Sequence, residues 1–110
     1  MRLRRIKTLI VDDSLLFRET LARGISRDPA IEVVATAVDA FMARDMIIKY
    51  KPDVMTLDVE MPRMSGIEFL RRAYAQYPFP VVMIRALSES ALMLLTLARY
   101  SLLPNQAMDL

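Results

Sequence analysis

Two apolar runs in this chain end on aspartate, and that repetition constrains the fold more than any other feature. Asp53 to Leu57 carries a strand-like pattern into Asp58, after which Met61-Pro62 stops regular structure and Ser65-Gly66 opens a turn. Leu9 to Val11 ends the same way, on Asp12-Asp13. An acidic residue closing a buried strand is expected at the carboxyl edge of an open α/β sheet, in the crevice where such sheets place their ligands. If the two strands are parallel neighbours, the carboxylates of Asp12, Asp13 and Asp58 converge there, with Asp58 exposed enough to react.

The stretches between the apolar runs read as helices. Ser14 is placed to cap a helix whose buried face is Phe17, Leu21 and Ile25, with Arg18, Arg23 and Arg27 outside and Asp28-Pro29 as its end. Ile31 to Ala37 predicts a second strand with Ile31, Val33, Ala35 and Ala37 on one side. Asp39 then caps a helix through Tyr50, which Pro52 closes. A third helix is predicted over Ile67 to Gln76, packing Phe69, Leu70 and Ala73, and Tyr77 to Pro80 breaks it before a strand over Val81 to Ile84. Ser88 to Leu102 reads as a fourth helix, and Pro104 and Asn105 end order. Strands alternating with helices of this length imply right-handed crossovers and a parallel α/β sheet covered on both faces, within one domain. Only the strands at Ile6 to Val11, Ile31 to Ala37, Asp53 to Asp58 and Val81 to Ile84 are visible.

Composition narrows the chemistry. With Gly24 and Gly66 as its only glycines the chain cannot build a Gly-rich phosphate cradle, and with no His it cannot form a His-based triad or most zinc sites. Although 55% of the residues are hydrophobic, no run is long enough to span a bilayer, so no membrane partner is expected. The absence of Cys and of a cleavable leader suggests a cytoplasmic protein. Arg2, Arg4, Arg5 and Lys7 read as a solvated arm rather than a nucleic-acid patch. What remains is carboxylate chemistry: a hard cation such as Mg2+, which takes one or two protein carboxylates, and an aspartate acting as nucleophile towards phosphorus.

The segments LIVDDS at 9–14, PDVMTLDVEMPRMSG at 52–66 and VVMI at 81–84 resemble the receiver domains of bacterial two-component response regulators. Within that family the chain looks most like the receivers at the amino terminus of chemotaxis protein-glutamate methylesterases, on VDDSLLFRETL, ARDMIIKYKPDVMTLDVEMPRMSG and FPVVMI. The resemblance implies a flavodoxin-like, doubly wound α/β fold over residues 6–86 within a single receiver domain, 1–110. It makes Asp58 the phosphoacceptor and Asp13 the principal Mg2+ carboxylate, with Asp12 helping through water and the Glu60 backbone carbonyl completing the protein's share. It also implies a sensor histidine kinase of the chemotaxis type as phosphoryl donor and an effector such as a methylesterase as output. The chain itself should have no methylesterase activity, because that reaction needs a His base.

Beyond Ala86 the pattern departs from the family. The residue following VVMI is Arg85, where the family has Ser or Thr, and no Lys follows Asp58, since Lys7, Lys49 and Lys51 all precede it. The tail LLTLARYSLLPNQAMDL offers neither a fifth strand nor a fifth helix, so the fold is expected to be truncated or altered after the fourth strand, with 87–110 atypical. Arg85 is the candidate replacement at the switch position. The alternative function is a non-switching scaffold of receiver shape. A phosphohydrolase is a weaker reading, because Glu60 stands where such enzymes commonly carry an acidic Asp. The apolar helix expected over Ala91 to Leu102 would favour a homodimer.

Overall fold

The computed structural model describes residues 4–84. Its elements run β1 (Ile6–Val11), α1 (Leu15–Ile25), β2 (Ile31–Ala37), α2 (Ala40–Tyr50), β3 (Val54–Asp58), α3 (Gly66–Gln76) and β4 (Val81–Ile84). All strand pairs are parallel, in the spatial order β2-β1-β3-β4. The expected caps Ser14 and Asp39 are present, and Ser65, expected only in a turn, caps a third helix that starts at Gly66 rather than Ile67. Ser14 Oγ accepts from the Phe17 amide at 3.2 Å, Asp39 Oδ1 from Met42 at 2.8 Å and Ser65 Oγ from Glu68 at 3.2 Å. Each such cap stabilises its helix by about 1 kcal/mol. The helix expected over residues 88–102, Arg85 and the segment proposed to dimerise all lie outside the described residues.

From β1 the chain crosses one way to β2, and from β2 to β3 and β3 to β4 it crosses the other way. Right-handed crossovers therefore place α1 on one face and α2 and α3 on the opposite face. The second face holds the core: Leu9, Val11, Ala37, Met55 and Leu57 of the sheet pack with Ala40, Ala43 and Ile47 of α2 and Phe69 of α3. Leu70 and Ala73 border it, as expected, and Met46, Met61, Met64 and Met83 fill its edges as adaptable apolar side chains.

On the other face α1 departs from expectation. Phe17, Leu21 and Ile25 are only half-buried, and no residue of α1 is fully buried. Nor is Arg18 on the outside. It is half-buried, and its guanidinium donates to the Asp12 carbonyl at 2.8 Å, so the helix is tied to the sheet by a polar contact at its first turn. The expected side of β2 is also corrected. Thr8 pairs with Val33 but Leu9 pairs with Ala35, so β2 has one residue, Val34, more than its neighbour at that point. Cross-strand partners share a face, so Ile31 and Val33 lie in the Ile6/Thr8 row while Ala35 and Ala37 lie in the Leu9/Val11 row.

The amino-terminal cations are more than a solvated arm. Asp53, just before β3, accepts from the Lys7 amide at 2.8 Å and from the Arg4 guanidinium, and the Lys7 ammonium donates to the Tyr50 carbonyl at 3.1 Å. The Lys7 amide, followed by Arg4, holds the Asp53 carboxyl below the usual carboxylate range. That polar knot fixes the amino ends of β1 and β3 in register, and with it the level at which their carboxyl ends stop.

Candidate functional site

The strands deliver the three aspartates to one place. Asp58 is the last residue of β3, paired in register with Ile84, and Asp12 follows β1 directly, with its amide donating to the Ala37 carbonyl at 3.0 Å. β1 lies between β2 and β3, whose crossovers leave in opposite senses, so its carboxyl end is the switch point of the sheet. One carboxylate oxygen from each of Asp12, Asp13 and Asp58 lies within 4.8 Å of the others. The expected convergence is present.

Asp58 is not exposed. It and Asp12 are each 1% exposed, and only Asp13 faces solvent. Each buried carboxylate is held by one oxygen. Asp12 Oδ1 accepts from the Ser14 amide at 2.8 Å, and Asp58 Oδ1 accepts from the Glu60 amide at 3.0 Å. The second oxygens, Asp12 Oδ2 and Asp58 Oδ2, are buried with no hydrogen-bond partner among the described residues.

That arrangement is electrostatically costly on its own. Burial raises the Asp58 carboxyl to about 6 against the pull of the Glu60 amide, with the Asp12 and Asp13 carboxylates adding to the rise. Asp12 is raised as well, first by burial and then by Asp13, while the Ser14 amide and Arg18 oppose the shift. At the 4.8 Å limit of the cluster, two ionised carboxylates repel by roughly 3 kcal/mol in an effective dielectric of about 20. A hard cation removes both problems, because it supplies the partner the two orphaned oxygens lack and the charge that keeps the trio ionised. The donor set, oxygen only and rich in carboxylate, fits Mg2+ rather than a soft metal.

Gly66 does more than open a turn, because it positions the site. A Cβ built on it would lie 1.9 Å from the Asp58 carbonyl oxygen and 3.1 Å from the Val59 Cα, and its amide donates to the Val59 carbonyl at 2.9 Å. The first turn of α3 is thereby seated directly on the end of β3, an approach that a side chain would block. The available signal was its position: a glycine opening a helix in a chain that has only one other. Glu60 is exposed, with its amide turned to Asp58. A cavity of about 240 Å³ between α2 and α3, lined by Phe41, Ile47, Met64 and Phe69 among others, includes none of the three aspartates.

The response regulator receiver domain family matches residues 8–99. A protein-glutamate methylesterase/protein-glutamine glutaminase 2 from Syntrophomonas wolfei subsp. wolfei is 94% identical over 90 residues, 82% of this chain and 26% of that protein. A protein-glutamate methylesterase/protein-glutamine glutaminase from Syntrophotalea carbinolica is 56% identical over 86 residues, 78% of this chain and 24% of that protein. The chain therefore spans about a quarter of the length of these curated relatives. Among solved structures, the response regulator domain of Thermotoga maritima CheB superposes with a TM-score of 0.72 at 38% identity, covering 86% of this chain and 72% of that one. The complex of the P1 domain of CheA3 with CheY6 from R. sphaeroides matches with a TM-score of 0.67 at 32% identity, covering 88% of this chain and 76% of that one.

Proposed function

This chain belongs to the response regulator receiver domain family, and from that membership we propose that Asp58 accepts a phosphoryl group from the phosphohistidine of a chemotaxis-type sensor kinase. Mg2+ is assigned to Asp13, Asp58 and the Glu60 backbone carbonyl, with Asp12 reaching it through water. The observation that carries the reading is the pair of buried, partnerless oxygens on Asp12 and Asp58, beside the exposed Asp13. When bound, Mg2+ supplies positive charge to the phosphoryl oxygens and to the acidic cluster.

The rest is done by the chain itself. The Glu60 amide holds Asp58 Oδ1 and so orients the carboxylate, one oxygen of which attacks phosphorus. As the bond from the Asp58 carboxylate to phosphorus forms, the N–P bond to the donor imidazole breaks, and its electron pair returns to the imidazole nitrogen, which takes up a proton. Burial keeps bulk water from the acyl phosphate that results.

The names of the relatives support a methylesterase effector as the regulated output. The comparisons give the non-switching scaffold no support. No ester hydrolysis is assigned to this chain, which has no His to act as base. Among the described residues no helix is long and apolar enough to cross a membrane. Mass spectrometry after incubation with acetyl phosphate and Mg2+ tests the reading. One added phosphate, absent in Asp58→Asn, is expected, and an unlabelled wild-type chain overturns it.

A further inference from the structure

Arg63 has no part in the reaction as written above, yet the structure makes an unusual commitment to it. It lies in the loop between β3 and α3 with a backbone φ of 70°, in the left-handed region that residues with a side chain rarely adopt. The Met64 amide donates to the Pro62 carbonyl at 2.8 Å, closing a three-residue γ-turn around Arg63. A γ-turn with positive φ at its centre is the rare, strained form, and glycine would accommodate it at less cost. An arginine persists in such a conformation when its surroundings over-determine it.

The surroundings are the amino terminus of α2. Arg63 Nη1 lies 3.8 Å from Asp39 Oδ2, and its guanidinium stands 5.8 Å from the centroid of the Phe41 ring. Asp39 is a firm anchor. Its side chain is 15% exposed, and its other oxygen is engaged in capping α2 through the Met42 amide. The guanidinium itself is 69% exposed, so the contact is explained by what it holds rather than by burial. What it holds is the loop whose first residues include Glu60, the donor to Asp58 Oδ1.

We propose that Arg63 is a positioning residue for the acceptor site: clamped to Asp39 and Phe41, it maintains the strained turn and so keeps the Glu60 amide on Asp58. The inference rests on the reading of Asp58 as phosphoacceptor and adds the element that orients its loop. An isolated surface ion pair would do little, but here the pair acts with an aromatic contact and a constrained backbone.

The test uses the 110-residue chain, without metal and then with Mg2+ alone, followed by amide NMR. In Arg63→Gln the Glu60 amide should shift and exchange with solvent about tenfold faster, the combined scale of an ion pair and a cation–π contact. Mg2+ should then bind about three- to tenfold more weakly, below the loss that follows removal of a ligand's direct hydrogen-bond partner. Asp39→Asn, which keeps an oxygen for the α2 cap, should reproduce the Glu60 change, and Arg63→Lys should restore part of it because it keeps the charge without the flat stacking surface. Wild-type exchange at Glu60 in Arg63→Gln overturns the proposal. So does a variant that merely melts earlier while Glu60 and Mg2+ affinity stay unchanged. A wild-type chain that takes no phosphate would sink the acceptor reading instead, and Glu60 exchange in the metal-free variants would still judge the clamp.

Discussion

Substituting alanine for each glycine in turn should have opposite effects on this chain, and the difference is set by what a single methyl group would meet. At Gly66 the added Cβ would lie 1.9 Å from the Asp58 carbonyl oxygen, 2.9 Å from its carbon and 3.1 Å from the Val59 Cα. All of these are backbone atoms, so no rotamer change relieves the clash. Either α3 must lift off or the end of β3 must move by about 1 Å or more, which is the overpacking regime of roughly 1–3 kcal/mol. Strain on the Gly66–Val59 hydrogen bond of 2.9 Å adds about 1 kcal/mol. Alanine's better helix propensity returns at most about 1 kcal/mol, leaving a net loss of about 2 kcal/mol. In a domain of this size that lowers the thermal midpoint by about 10 °C. At Gly24, inside α1, nothing lies within 4 Å of the added methyl, so Gly24→Ala should stabilise by about 0.4–1 kcal/mol through helix propensity and a less flexible unfolded chain. Thermal unfolding followed by circular dichroism measures both. A Gly66→Ala midpoint within about 2 °C of wild type, on the conversion used above, would refute the reasoning, as would destabilisation by Gly24→Ala. Because the clash is with Asp58 itself, Gly66→Ala should also weaken Mg2+ binding in an NMR titration, whereas Gly24→Ala should not.

The metal-free chain should become more stable as the pH is lowered from 7 towards 5. Asp58 is raised from 3.8 to about 6, so the folded state binds its proton more tightly than the unfolded state does, and that contribution is present in acid and lost as pH rises through about 6. Over that range it is on the order of 1 kcal/mol, and it is complete only below the unfolded value. Urea midpoints at several pH values check it, and saturating Mg2+ should reverse the trend. Asp53 has the opposite sign. Its pKa is lowered by the Lys7 amide and Arg4, so Asp53→Asn should lower the thermal midpoint at neutral pH and cease to matter once pH falls below the depressed value. Arg85 stands where the family resemblance puts a Ser or Thr, so Arg85→Ser is expected to raise the rate of labelling by acetyl phosphate, measured by mass spectrometry. An unchanged rate would show that the guanidinium does not obstruct the site.

Legibility in the sequence followed the range of the interactions involved. The strands and helices through Ile84 could be read because their signals are local: apolar runs closed by aspartate, and Ser14 and Asp39 each placed to satisfy free amides at a helix start. The meeting of Asp12, Asp13 and Asp58 followed from topology, since parallel neighbours of similar length end at the same edge. Burial of Asp58 could not be read that way. Nor could the seating of α3 on the strand end at Gly66, a contact between backbones that has no signature in hydrophobic periodicity. The extra residue in β2 was hidden for a related reason. Ile31 to Ala37 alternates, with Glu32 and Thr36 opposite Ile31, Val33, Ala35 and Ala37, so an alternation argument predicts an unbroken register and cannot place a slip at Val34. Arg18 looked like an outside residue because its helical position is polar, but the carbonyl it meets belongs to Asp12, beyond the helix. The same holds for Arg63, whose partner Asp39 is 24 positions away and already read as a cap. For Gly66 and Asp39 the missing information is a second use of a group whose first use was visible: a glycine that is also a floor, a cap that is also an anchor. Such double use is concentrated around the acidic crevice, where few atoms must hold three carboxylates in place, and that concentration supports the proposal that the chain acts there.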